Sequence, residues 1–255
     1  MSKLLKNNHR PTYAYPYVAQ HIGSREEQQD AFAFSDFFNK NSILQYGYMA
    51  VLADGMGGMK NGALAGQETV KTFSEYYMSQ YNNDTLETMI NAAKTANEQV
   101  KKIEGAGATL CGVAIKDWYL HWVSVGDSHI YLYRKGSLRR LNREHNYAAV
   151  LDRLAQCGKI SIEDARTNAK RQALTSYIGI EELKEIDYNT EKIPLMRGDS
   201  ILICSDGLYR GLSLKQIARI LKNGAEDVAD EMVEKVLKKN IRHQDNITVL
   251  IIDID

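Results

Sequence analysis

Strands arrive in blocks and helices in pairs, and that order most constrains what this 255-residue chain can fold into. The opening block "YAYPYVAQHIG", "DAFAFSD", "YGYMAVLAD" is β-branched, aromatic and apolar. Two stretches with apolar residues at helical period follow, "GALAGQETVKTFSEYYMSQY" and "TLETMINAAKTANEQVKKI". A second β block comes next: "GATLCGVAI", "WYLHWVSVG", "SHIYLYRKG". Its links of two or three residues predict hairpins and a meander. Later come the strands "EIDYNTEKI" and "DSILICSD", the helices "SLKQIARILKNG" and "AEDVADEMVEKVLKKN", and a closing strand, "NITVLIIDID". A parallel nucleotide-binding sheet would need strand and helix to alternate singly. The expected class is therefore α+β, two antiparallel sheets packed face to face with helix pairs outside. Pro16 puts the first strand at an edge or on a bulge. Residues 143–176 are charged and helix-prone, and they read as a helical flap inserted into one domain spanning 1–255.

Bulk properties exclude several function classes. Lys plus Arg equals Asp plus Glu, so no net charge steers the chain toward nucleic acid or an anionic membrane. No window approaches the roughly 18 apolar residues of a membrane span, and the N-terminus lacks a signal-peptide core. A soluble cytoplasmic protein is expected. Cys111, Cys157 and Cys204 are odd in number and far apart, which predicts reduced buried thiols rather than a zinc knuckle or disulfide framework.

The chemistry lies in aspartates at strand ends. Asp54 ends "MAVLAD", Asp206 ends "ILICSD", Asp127 follows "WVSVG", Asp245 precedes "NITVLII", and Asp30 precedes "AFAF". Asp-Gly alone is an ordinary turn signal. Neither Asp54-Gly55 nor Asp206-Gly207 leads into a second strand, so a hairpin is not what these dipeptides make. A phosphate-cradling loop fails on spacing, because Lys60 is followed by Asn61 and the position a dinucleotide fingerprint gives to its third glycine is Lys60. Several carboxylates gathered at neighbouring strand ends would repel or take up protons unless cations relieved them. An all-oxygen set suits Mg²⁺ or Mn²⁺. Glycine beside Asp54 would let the Gly55 carbonyl approach a metal, and Gly57 and Gly58 would let the chain turn away into the next helix. Arg25 in "GSREEQQD" could hold two phosphate oxygens at once; the competing reading is a surface arginine beside Glu26 and Glu27. Cys204 lies in an apolar strand and reads as an inert thiol, while His145 and His243 read as structural or surface residues.

The ordered set "SREEQQDAF", "VLADGMGG", "GATLCGVAI", "VGDSHIYLYRKG", "ALTSYIG", "GDSILICSDGL" and "HQDNITVLIIDI" resembles the metal-dependent Ser/Thr protein phosphatases of the PP2C (PPM) type, bacterial members above all. The resemblance runs from about residue 15 to the C-terminus. It implies a four-layer αββα sandwich with a flap beside the metal site. It implies that Asp54 bridges two Mn²⁺ or Mg²⁺ ions with the Gly55 carbonyl on the second, and that Asp206 and Asp245 hold the first. Asp127 would hold a third ion sharing Asp206, Asp30 would support the metal waters, and Arg25 would bind the phosphate. The implied reaction is hydrolysis of phosphoserine and phosphothreonine by a metal-bridging hydroxide, which makes Arg25 and Asp54 the catalytic residues. The implied partners are phosphoproteins made by a Ser/Thr kinase, met by a monomer. This chain departs from the pattern at Gln28, at His129 where relatives carry the "GDSR" arginine, in the flap segment "TNAKRQALTSYIG", and at Met56, where some relatives place an acidic histidine. A catalytically weak phosphoprotein-binding relative is the alternative, and retention of all five aspartates and Arg25 argues against it. A purely structural Ca²⁺ protein would leave Arg25 unexplained and lacks an EF-hand loop.

Overall fold

The computed structural model describes residues 11–56, 60–224 and 227–255. The chain opens with β1 (Ala14–His21) and β2 (Asp30–Phe34), followed by a short helix α1 (Lys40–Tyr46) and β3 (Tyr48–Asp54). The first helix pair is α2 (Gly62–Ser79) and α3 (Thr85–Val100). Strands β4 (Leu110–Lys116), β5 (Tyr119–Val125), β6 (His129–Arg134) and β7 (Ser137–Arg140) come next. The flap holds α4 (Ala148–Gln156) and α5 (Ile162–Thr167). After it come β8 (Asp187–Tyr188), β9 (Ile193–Pro194), β10 (Ser200–Cys204) and the single turn α6 (Asp206–Tyr209). The second pair, α7 (Leu214–Lys222) and α8 (Val228–Leu237), leads into β11 (Ile247–Ile254).

Two antiparallel sheets result. One has the order β2-β3-β4-β5-β8 with β9 also on β5, the other β1-β11-β10-β6-β7. Their strands read as nearly continuous apolar runs because both faces are buried. In β3, Met49, Val51 and Ala53 face α2 and α3, whereas Tyr48, Ala50 and Leu52 face the other sheet. In β10, Ile201 and Ile203 point inward between the sheets, while Leu202 and Cys204 pack under α7 and α8. Three apolar layers therefore separate four layers of secondary structure, the αββα order expected. Strand β1 lies at an edge with unbroken register to β11, so Pro16 needs no bulge.

Three expectations need correction. The meander is broken: β4 and β5 form a hairpin, but β6 pairs with β10 in the opposite sheet. The chain crosses between sheets at Gly126-Asp127-Ser128, where Gly126 adopts φ 99°. Burial on both faces hides from the sequence which sheet a strand joins. The segment "EIDYNTEKI" makes two short strands, because Asn189 stands in for the ladder. Its Oδ1 accepts from the Trp122 N–H at 2.8 Å, and its Nδ2 donates to the Leu120 carbonyl at 3.3 Å. Of the three free cysteines, Cys111 and Cys204 are buried but Cys157, at the end of α4, is exposed. Helix α1 escaped prediction because it buries no side chain; Asn39 starts it by accepting from the Asn41 and Ser42 N–H groups.

Candidate metal centre

The register of the first sheet places Asp30 directly opposite Asp54. From the second sheet, Asp206 follows β10 and Asp245 stands two residues before β11, its neighbour in that sheet. Asp127 sits in the crossing between the sheets. All five converge: Asp30, Asp206, Asp127 and Asp245 each push the Asp54 pKa upward through like charge. No single element could assemble the cluster.

Polar side chains hold it in place. Gln20 Nε2 donates to Thr248 Oγ1 at 2.9 Å, and Thr248 Oγ1 donates to Asp30 Oδ2 at 2.7 Å, a relay across the two sheets. Gln28 Oε1 accepts the Asp30 N–H at 3.0 Å, so the unusual glutamine secures the backbone of this aspartate. Thr109 Oγ1 accepts the Asp54 N–H at 2.9 Å and lies 2.7 Å from Ser128 Oγ, tying the end of β3 to the Asp127 crossing. Asn246 clamps the loop that carries Arg25. Its Nδ2 donates to the Ile22 carbonyl at 2.8 Å and the Glu27 carbonyl at 3.1 Å, and its Oδ1 accepts the Gln29 N–H at 2.8 Å. Arg25 Nη2 thereby reaches Asp245 Oδ2 at 2.7 Å while nearly half of the side chain stays exposed.

The carboxylates are kept from ionising freely. Burial raises Asp30 to about 6, against partial relief from its bond to Thr248. Burial and then the charge of Asp206 raise Asp127 to about 6. Asp54 is pushed well above the usual carboxylate range by burial first and its four acidic neighbours second. Burial also raises Asp206, with Arg210 pulling the other way. A cluster that resists ionisation in isolation is one that cations would stabilise.

Two buried oxygens point to such cations. Asp30 Oδ1 and Asp206 Oδ1 have no hydrogen-bond partner, in residues only 6% and 9% exposed. Buried carboxylate oxygens without partners are costly unless a ligand satisfies them. Among the described residues, no three acidic, histidine or cysteine side chains are placed so that they could hold a metal ion together as they stand. Arginines stand among the carboxylates: Arg25 on Asp245, and Arg210 Nη2 at 3.0 Å from Asp206 Oδ2 and 4.0 Å from Asp127 Oδ2. The donor set, oxygen only, fits a hard divalent ion.

The Asp-Gly dipeptides gain a steric explanation. A Cβ on Gly55 would lie 2.2 Å from the Gly62 carbonyl oxygen and 2.7 Å from that of Gln29; one on Gly207 would lie 2.0 Å from that of Asn246. These are backbone atoms that cannot step aside. Gly207→Ala is expected to destabilise the fold by about 3 kcal/mol or more, read as a lower denaturation midpoint. An unchanged midpoint would contradict the packing of α6 against Asn246. The tight turn expected at Gly57 and Gly58 lies outside the described residues.

Sequence reasoning missed Arg210, Asn246, Thr248 and Thr109. Arg210 lies just after the Asp206-Gly207 dipeptide, and the turn α6 brings it back over Asp206. His129 is buried, with Nδ1 2.6 Å from the Tyr131 hydroxyl and Nε2 2.8 Å from Glu144 Oε1. Burial lowers its pKa, against the opposing pull of its bond to Glu144. His145 is buried and its Nδ1 accepts the Gly126 N–H at 3.2 Å, a structural role. Burial raises the thiol of Cys204, which is fully enclosed, as befits an inert side chain.

The sequence model of the family described as protein phosphatase 2C matches residues 19–242. A serine/threonine phosphatase, stp, from Listeria monocytogenes is 29% identical over 222 residues, covering 81% of this chain and 84% of that protein. The solved serine/threonine phosphatase of S. agalactiae is 25% identical and superposes with TM-score 0.80, covering 95% of this chain and all of that one. The catalytic domain of the phosphatase PstP, solved with two manganese ions, shares the fold at TM-score 0.72 and 24% identity, covering 94% of this chain and 98% of that one.

Proposed function

The chain belongs to the protein phosphatase 2C family, and we propose that it is a protein phosphatase that hydrolyses phosphoserine and phosphothreonine with divalent ions, Mn²⁺ or Mg²⁺, held by its aspartate cluster. The observation that carries this reading is the pair of buried, unpartnered oxygens, Asp30 Oδ1 and Asp206 Oδ1, inside a cluster of five aspartates drawn from both sheets. Asp54, Asp206 and Asp245 would hold the ions, with the Gly55 carbonyl beside Asp54 and Asp127 at the outer end. Bound there, such ions would supply Lewis acidity and make a site water acidic enough to act near neutral pH.

The chain's own residues supply the rest. Asp30 is fixed through Oδ2 by Thr248 and keeps Oδ1 open to accept a hydrogen bond from water in the site. Arg25 is held at the rim by one contact to Asp245, and its remaining N–H groups can take the oxygens of a phosphate monoester. Positioning of phosphate and water, with no covalent enzyme intermediate, is enough for in-line displacement. Cys204 is accordingly left without a role. We place the protein in the cytoplasm as a monomer acting on products of a Ser/Thr kinase; no helix among the described residues is long and apolar enough to cross a membrane.

The direct test is release of phosphate from p-nitrophenyl phosphate and from a phosphothreonine peptide with Mn²⁺, and its loss in EDTA. Full activity in EDTA would overturn the proposal. Arg25→Ala is expected to lower kcat/KM by on the order of 10²–10³-fold, as removal of a preorganised donor does. Inorganic phosphate should also inhibit the variant more weakly. Equal inhibition of wild type and variant would remove Arg25 from the phosphate site.

A further inference from the structure

The two oxygens of Asp206 are divided. Oδ1 is buried and without a partner, while Oδ2 faces Arg210 Nη2 at 3.0 Å. The same nitrogen lies 4.0 Å from Asp127 Oδ2. A single guanidinium thus lies within 4.0 Å of both carboxylates and leaves Asp206 only its buried Oδ1 without a partner.

This placement is built into the chain. Arg210 follows Asp206 by four residues across α6, the spacing that sets two side chains on one helical face. The turn is anchored: the Tyr209 ring stacks on His129, centroids 3.7 Å apart and planes at 18°. His129 is itself fixed by Tyr131 and Glu144. A guanidinium does not lose its proton, so its charge is permanent. Being tethered, it competes at a local concentration in the millimolar range or above. A divalent ion shared by Asp127 and Asp206 would need oxygens of both at about 2.0–2.6 Å, and the same two Oδ2 atoms already face Arg210 Nη2 at 4.0 and 3.0 Å.

We propose that Arg210 is a built-in cation that fills the Asp127–Asp206 end of the cluster, so that this chain holds two divalent ions and excludes a third. The inference rests on the metal-dependent reading above, and counting ions separates the two. Bound Mn²⁺ is counted by electron paramagnetic resonance during titration of metal-stripped protein, with circular dichroism confirming the fold of each variant. Wild type is expected to bind two ions, and Asp127→Asn two as well. Arg210→Ala is expected to bind three, and the double variant R210A/D127N to return to two. Three ions on wild type with one lost in Asp127→Asn would overturn the inference and leave the phosphatase reading standing. No ions on wild type would overturn both. Two ions on folded Arg210→Ala, or on Arg210→Gln should the alanine variant not fold, would show that the arginine excludes nothing.

Discussion

Asp54→Ala is expected to reduce phosphate release by on the order of 10³-fold or more while the protein stays folded. The side chain lies at the meeting point of the cluster, opposite Asp30 and within reach of the charges of Asp127, Asp206 and Asp245. Its loss removes the carboxylate on which the charges of the other four converge. The same geometry predicts an opposite effect on metal-free stability. Each of the four neighbours opposes ionisation of Asp54, so its removal relieves repulsion. In EDTA the variant should melt at or above the wild-type temperature, and the rise that Mn²⁺ gives to wild type should be lost. Turnover within tenfold of wild type, or an undiminished Mn²⁺ effect on melting, would remove Asp54 from the centre.

Mn²⁺ is also expected to raise the melting temperature far more near pH 7.5 than near pH 5. Asp30 and Asp127 rise from 3.8 to about 6 on folding without metal. Between those values the metal-free folded state binds more protons than the unfolded chain, so its stability falls as pH rises. Each shift of about two units corresponds to roughly 3 kcal/mol at most, by the free-energy equivalent of a pKa unit. Divalent ions take the place of those protons, so the loaded protein escapes this loss. His121, His129 and His145, lowered by burial, give the opposite slope below about pH 6.5, but in both states, and so cancel from the difference. Glu144, lowered to about 2 chiefly by its bond to His129, changes charge between about 2 and 4.5, below this window. Melting curves with Mn²⁺ and with EDTA across this range check the point. An effect of Mn²⁺ that shrinks as pH rises would contradict the carboxylate site.

The cluster was legible because each aspartate ends or precedes an apolar run that had to be a strand, and because Asp54-Gly55 and Asp206-Gly207 lead to no partner strand. Those two features fix positions along the chain without knowledge of the tertiary fold. Arg210 was not legible, since its role depends on a four-residue helical turn whose sequence reads equally well as coil. The crossing at Gly126 was hidden for a different reason. Strands buried on both faces carry no alternation, so "WYLHWVSVG" and "SHIYLYRKG" read the same in one sheet or in two. Gly55 was read as a residue that frees its carbonyl for metal. The structure adds that Gly62 and Gln29 occupy the space of a side chain there, a constraint only packing reveals. Asn246 lay within a recognised motif, yet its clamp on the Arg25 loop joins residues more than two hundred positions apart.

The layer of Leu52, Ile130, Ile203 and Leu250 between the sheets has a significance beyond cohesion. Asp30 and Asp54 ride on one sheet, Asp206 and Asp245 on the other, and the thickness of this apolar layer is the spacer that sets the gap between them. The centre behaves like the jaws of a vice whose opening is machined in hydrocarbon. A methylene added to or taken from that layer would shift one pair of carboxylates against the other without touching either pair. The spacing of the carboxylates in this chain therefore depends on the volume of its core as much as on the strands that carry them.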